Sequence, residues 1–544
     1  MAVRPSFTTV CFAAAILLGV LPLWAGVHVP MVDLPQHLHL ISVLHRLSDD
    51  STLYPQWFEA RGQLTPYLGY YETVNVLNWL MPIETANRVF LSAYVAGLPL
   101  SLAFLLRSFK RPVWPALLSL PFAYGDSFAW GFINYIAALP LSFLCCGLFV
   151  RAIADVPKRR SWAIGLALCL VAVLLMHVQA FAWLGVALPI LLLTTSAPDD
   201  VTETAKALPA DRSTVKLIVR MGKPLEIRAR HRIPALLGVV PGVVLFLIWV
   251  GLRVGQPQEV EAGAPWKAWG PMLSPQNLSY KPFAQNLSEL TSVLANMLRD
   301  GSDRAVLNLV VVIAVAGLVA GGFSFFKKRE DSGANGLIRL VLITAAGLLL
   351  YFVLPFDIRG YMYYLNTRYA HLVVPLALCC VPVIDKKLER GFLVACVVAA
   401  LVLCVPLYKG FAQFDSEARD FDNVEAAAAP KAKVMGFIFD TASAVMTHPV
   451  YLHMGAELAR KSGGVANFSF ALTPHSPVKY KLTPPPAPPS EWNPGQFNWN
   501  TMGSAYDHFL IRGPPPERVL GQWIGSELVV AAQSGNVSLV ERRR

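Results

Sequence analysis

The chain has 544 residues, 55% of them hydrophobic and only 15% charged, and its mean hydropathy is +0.48. Soluble domains carry roughly 25% charged residues, so this composition excludes a string of soluble domains and points to a polytopic α-helical membrane protein. The net charge is +11. Lys and Arg stand in short clusters between apolar runs rather than in a stripe with aromatics, which argues against nucleic acid as a partner. All eight cysteines (Cys11, Cys145, Cys146, Cys169, Cys379, Cys380, Cys396, Cys404) fall inside apolar runs and spell neither a disulfide framework nor a metal site.

The first apolar run, 8–26, follows Arg4. Its end, "PLWAG", also suits a signal peptide, but many spans follow, and the run is read as an uncleaved first helix with a cytoplasmic N-terminus. Five basic clusters mark cytoplasmic loops: Arg107 to Arg111, Arg151 to Arg160, the stretch 197–232, Lys327 to Arg329, and Lys386 to Arg390. Keeping all five inside predicts about 11 transmembrane helices, near 8–26, 87–107, 113–127, 131–151, 161–178, 180–196, 233–253, 305–326, 336–355, 369–384 and 391–409. Residues 67–82 are apolar enough to span, yet a span there would put the Arg107 cluster outside. They are predicted to form an amphipathic interface helix, with Tyr67, Tyr70, Tyr71 and Trp79 at headgroup level. An odd number of spans puts the C-terminus outside. The chain thus divides into a transmembrane domain, 1–409, with an outer loop at 27–86, and a small extracytoplasmic α/β domain at 410–544. In the latter, "VMGFIF", "VANFSFAL", "HFLIR" and the two halves of "ELVVAAQSGNVSLVERR" read as strands, and "PVYLHMGAELARKSGG" as a helix. A stiff loop, "TPPPAPPSEWNPG", interrupts it. The domain offers no candidate catalytic residue.

The chemistry-bearing residues gather at the outer rim. In "HVPMVDLPQHLHLISVLHRL", Asp33 precedes a short helix whose Leu34, Leu38, Ile41 and Leu44 share a face. With Pro35 and Gln36 following, Asp33 suits a helix N-cap; at the membrane surface beside a helix N-terminus it equally suits a general base. His37 shares its face and is read as bonding Asp33 or a donor phosphate; His39 points elsewhere, and no further ligand completes a zinc set. Asp126, in "FAYGDSFAWGFINY", is a turn residue after Gly125 or a second functional carboxylate. His177, in "LLMHVQAF", packs at the tip of a hairpin or lines a cavity. The stretch "LPFDIRGYMYYLNTRYAHL" gathers Asp357, Arg359, Tyr361, Tyr363, Tyr364, Arg368 and His371. Two arginines outside run against the positive-inside trend. A local pair with Asp357 accounts for Arg359, while Arg368 suits a lipid headgroup or a lipid-linked phosphate, which guanidinium grips bidentately.

A first span, an outer loop opening with an acidic residue, two interface helices and then "IETANRVFLSAYVAGLPLSLAFLLRSFKR" as the second span: this layout resembles the GT-C superfamily of membrane glycosyltransferases, over roughly residues 1–200 and more loosely to 409. It is similar to the aminoarabinose transferases and protein O-mannosyltransferases. The resemblance implies transfer of a sugar from a polyprenyl-phosphate carrier to a glycan, lipid or protein acceptor, on the outer face of a bacterial inner membrane. It makes Asp33 the catalytic base, and Asp126 a second site carboxylate that orients the acceptor or holds a divalent metal (magnesium or manganese). Arg368 becomes the carrier-phosphate residue, with His37, Tyr364 and His177 beside it as substrate-binding groups. The sequence departs from the pattern in one respect: many members carry two adjacent acids where Asp33 is followed by Leu34. The implied reaction is an inverting displacement at the anomeric carbon. Two other readings stand beside it. One is a polytopic lipid or polysaccharide transporter, for which no repeat or mid-membrane charge speaks. The other is an inactive GT-C-like assembly protein.

Overall fold

The computed structural model describes residues 5–195, 225–254, 274–327, 334–358 and 362–543. Arg4, Arg359, Tyr361, Lys328, Arg329 and most of the basic cluster at 197–232 lie outside the described residues.

The apolar runs become helices. Among the described residues, eight are long and apolar enough to cross a membrane: Phe7–Trp24, Ile83–Ser108, Ile133–Ala154, Val156–Met176, His231–Leu252, Ala305–Gly322, Asn335–Val353 and Lys386–Glu425. Val178–Thr194 is a shorter apolar helix of 17 residues. Leu17, Leu168, Leu193, Leu237 and Leu349 are each more than three-fifths exposed on these helices, a surface that suits lipid rather than water.

The expected eleven spans need correction at two places. The segment predicted at 113–127 is an 11-residue 3₁₀ helix, Trp114–Tyr124, and that predicted at 369–384 is an 11-residue α-helix, Arg368–Leu378. At a rise of about 1.5–2 Å per residue neither covers the roughly 30 Å hydrocarbon core. Proline is the cause: Pro115 and Pro121 remove backbone donors from the first, and Pro375 and Pro382 disrupt and follow the second. Every residue of Trp114–Tyr124 is buried, so its apolarity is that of a protein core.

The last long helix, Lys386–Glu425, has 40 residues, about 60 Å, and continues well beyond residue 409. Its extension buries Phe411, Phe414, Ala418, Phe421 and Val424 along one stripe and leads into a five-stranded sheet. The strand order is Val465–Ala466, Lys433–Ile438, His508–Arg512, Val537–Arg542, Leu528–Ser534. The first three are parallel and the last two antiparallel to their neighbours. Between Lys433–Ile438 and Val465–Ala466 lies the helix Met454–Ser462, ended by Gly463 at φ +66°. "VANFSFAL" is strand only at its start; it then bends into a 3₁₀ turn, Phe470–Leu472, capped by Ser469.

That bend turns the chain toward the first loop. Phe58–Ala60 pairs antiparallel with Val478–Tyr480. The buried Gln36 donates to the Phe468 carbonyl and accepts from the Phe470 amide, both at 3.2 Å. Arg460 binds Glu457 at 2.5 Å and Glu84, at the head of Ile83–Ser108, at 2.7 Å. The helix Leu68–Asn78 has 11 residues, too few to span. Of the aromatics expected at headgroup level, Trp79 is exposed, but Tyr70 and Tyr71 are buried, because their hydroxyls bond Asn87 and His37 inside the protein. Tyr67 is half-buried, its ring between His177 and His475.

Replacing Arg460 by Ala leaves Glu457 buried and unpaired. Loss of a buried partner costs about 3–5 kcal/mol, and less here to the extent that Glu84 reaches solvent. Thermal unfolding in detergent followed by Trp fluorescence is expected to show a clear drop in melting temperature; an unchanged melting point contradicts this role.

Candidate active site

The first loop and the 125–132 turn lie side by side, joined by backbone. The Val32 amide donates to the Ala129 carbonyl at 2.9 Å and the Asp33 amide to the Trp130 carbonyl at 3.1 Å. Gly131 makes the close approach feasible: its φ is +86°, and a Cβ there would lie 3.0 Å from the Asp33 nitrogen and Cβ. Asp33 and Asp126 therefore come from neighbouring stretches at one end of the bundle.

Asp33 stands at the N-cap position of Leu34–His45, but its side chain makes no bond to that helix, and Gln36, the expected capping partner, is engaged elsewhere. The carboxylate turns instead to the C-terminal half. Its Oδ1 lies 3.3 Å from Nε2 of His453, whose Nδ1 lies 2.8 Å from Glu491 Oε2. Burial opposes charge on this ring, yet Glu491 and Asp33 outweigh it and push the imidazole up to about 10. Asp126 opens a one-turn helix, Asp126–Ala129, and its Oδ1 lies 2.7 Å from Nε2 of His448. The His448 ring sits edge-on to Trp130. Each carboxylate is thus held through one oxygen by a histidine of the same short stretch, "HPVYLH".

His37 lies among these groups in another role than expected. Its Nδ1 bonds the Tyr71 hydroxyl at 2.7 Å and its Nε2 donates to the Gly131 carbonyl at 3.1 Å. Both nitrogens are committed, so the expected bond to Asp33 is not made. Burial lowers the ring's pKa despite Asp33 and the Gly131 bond, leaving a neutral wall that holds Gly131 against Asp33.

Arg368 and His177 do meet. Arg368 Nη1 lies 3.2 Å from His177 Nε2, Nη2 donates to the Tyr363 carbonyl at 3.3 Å, and the guanidinium lies 4.0 Å over the Phe132 ring. Among the described residues it has no carboxylate partner, and its buried Nε has no partner at all. His177 caps Val178–Thr194, its Nδ1 accepting from the Gln179 amide at 3.1 Å. That bond puts the ring proton on Nε2, so two donors face the same space. Tyr364, at φ +58°, packs against Trp130 and Phe132. Burial, then Asp126, Asp357 and Asp33, push its phenol up to about 12, so it remains a donor. Asp357 accepts from the Tyr364 amide at 3.2 Å.

No three His, Cys, Asp or Glu side chains converge as metal ligands among the described residues. Asp126 and Asp33 each face a histidine, and His453 is held as a cation, a donor set that does not suit magnesium or manganese, which bind oxygen. The expectation of a divalent metal finds no support in this geometry. Sequence reasoning missed His448, His453 and Glu491 and named no catalytic candidate beyond residue 409. Two histidines five apart between a strand and a helix were the available signal.

Comparison with solved structures follows this layout closely. ArnT from Cupriavidus metallidurans, bound to undecaprenyl phosphate, superimposes with TM-score 0.53 at 11% identity, covering 98% of this chain and 97% of that one. The chain shares the fold of ArnT. ArnT in its apo state gives TM-score 0.51 at 12% identity with the same coverage. An oligosaccharyltransferase from Archaeoglobus fulgidus matches more loosely, at TM-score 0.40 and 11% identity over 86% of this chain and 64% of that one. No protein-family model and no curated protein sequence matches the chain. The layout expected from the first 200 residues is that of the ArnT structures.

Gly131→Ala is expected to cost about 1–2 kcal/mol through its left-handed backbone and to displace Asp33. Thermal unfolding checks the first; a variant that melts like the wild type contradicts it.

Proposed function

We propose that the chain is a membrane glycosyltransferase that moves a sugar from a polyprenyl-phosphate carrier to an acceptor hydroxyl at the outer face of a bacterial inner membrane. The observation that carries this reading is Arg368: a guanidinium without a carboxylate partner among the described residues, at the same end of the bundle as Asp33. A half-buried cation with a buried, unpartnered Nε gains from an anion, and a lipid-linked phosphate supplies one. The paired donors of His177 and Arg368 support it, since a shared phosphate oxygen satisfies both. An apolar groove of about 390 Å³ supports the lipid. It lies between Ile83–Ser108 and Ile133–Ala154, is lined by Phe90, Tyr94, Gly97 and Pro140, and reaches Met176, next to His177. An isoprenoid tail in it would bring its phosphate to Arg368.

In the proposed step the acceptor oxygen bonds the anomeric carbon as the bond from that carbon to the phosphate oxygen breaks, with inversion. The acceptor proton passes to the free oxygen of Asp33. Charge growing on the departing phosphate falls to Arg368, with His177 and the phenol of Tyr364 as neutral donors. Asp126, fixed by His448, orients the acceptor. No step uses a metal.

The test is transfer of radiolabelled sugar in proteoliposomes from a panel of undecaprenyl-phospho-sugars. Asp33→Asn is expected to lower the rate by about 10²–10⁴-fold with little change in donor KM. Arg368→Gln is expected to raise donor KM and lower kcat. Equal turnover by Asp33→Asn removes Asp33 as base. No turnover of any donor by folded wild-type protein favours the transporter or assembly readings.

A further inference from the structure

The His453 ring lies between two carboxylates that come from opposite halves of the chain. Asp33 reaches it from the first loop, at 3.3 Å, and Glu491 from the proline-rich loop, at 2.8 Å. The ring is buried. Phe468 stacks on it with centroids 5.8 Å apart and planes 8° from parallel, and Phe470 closes a second side edge-on at 5.6 Å. With one face stacked and one side closed, the ring keeps Nε2 toward Asp33 and Nδ1 beside Glu491, the latter contact an ion pair without hydrogen-bond alignment. Asp33 has no other donor to its carboxylate among the described residues, since its own helix is left uncapped by the side chain.

We propose that His453 is the positioning residue for Asp33, and that Glu491 is the support that holds His453 in that role. The proposal rests on the reading of Asp33 as the base. Fixing Oδ1 leaves the second oxygen of Asp33 aimed at the acceptor.

The charge balance around the ring supports this. The helix Leu34–His45 offers Asp33 and the neutral His37, the proline-rich loop offers Glu491, and the 465–472 stretch offers only the two phenylalanine rings. On the helix that follows His453, Glu457 and Arg460 are engaged with each other and with Glu84. Among the described residues, the imidazolium is therefore balanced by Asp33 and Glu491. His448, five residues earlier, meets Asp126 by the same Nε2-to-Oδ1 geometry at 2.7 Å. Pro449 between them stiffens the stretch that delivers both.

Two readouts on the full-length protein test this, with His453→Gln, Glu491→Gln and Asp33→Asn beside the wild type. The first is a titration of ¹⁵N-histidine resonances in nanodiscs, which needs no turnover. The resonance missing from His453→Gln is expected to stay protonated past pH 9 in the wild type, and to titrate at least about one unit lower in Glu491→Gln. A midpoint near the ordinary 6.5 or so in the wild type, or no movement in Glu491→Gln, overturns the proposal. The second is kcat and donor KM with the undecaprenyl-phospho-sugar that the wild type turns over. In His453→Gln kcat is expected to fall by about 10²-fold with donor KM little changed, as for a displaced base. An unchanged kcat in His453→Gln, with Asp33→Asn inactive, overturns the proposal and leaves the base reading standing. Full activity in Asp33→Asn overturns both.

Discussion

Charge held at the end of an apolar helical bundle needs a partner, because neither lipid nor a dry protein interior solvates it. This constraint organises the molecule. Asp33, Asp126, Glu84 and Glu457 stand where the bundle meets the C-terminal sheet, and each is answered by a cation or imidazole from residues 448–460. The pairs therefore fasten the sheet to the bundle and set the side chains of the site in one stroke. Arg368 is the exception. Its partners are a carbonyl, a histidine and an aromatic face, so the compensation is incomplete at the place where an anionic ligand would enter.

Backbone geometry lets these pairs form. Gly131 at φ +86° admits Asp33 against the turn that carries Asp126, and the neutral His37 holds that turn by its carbonyl. Gln36 fixes the 468–470 bend, which supplies both rings that wall His453. The stretch Asp33 to His37 thus contributes one charged group and two neutral clamps, all within about one helical turn.

Much of this was legible in the sequence, and for a definite reason. Composition and run length report burial in lipid, so most of the long helices were found to within a few residues, while Lys386–Glu425 runs well past the expected end at 409 because its extension is buried in protein. The rim position of Asp33, Asp126, His177 and Arg368 marked them because ionisable groups are costly there. The two short helices were misjudged because a proline-broken apolar run in a protein core has the same composition as a span. Tyr70 and Tyr71 were misjudged because aromatic residues suit a headgroup belt and a buried hydrogen bond alike. His448, His453 and Glu491 were not found at all: the two histidines lie more than 300 residues from the carboxylates they serve, no local periodicity carries a pairing of that range, and Glu491 draws its role from His453.

The account stands or falls on where a carrier phosphate binds. Cryo-electron microscopy of the full-length protein in nanodiscs with undecaprenyl phosphate measures this directly. The account predicts phosphate density within hydrogen-bonding distance of the Arg368 guanidinium and His177 Nε2, with the lipid chain running from it along the groove beside Met176. Phosphate density elsewhere, with Arg368 still in contact only with His177 and the Tyr363 carbonyl, would contradict it.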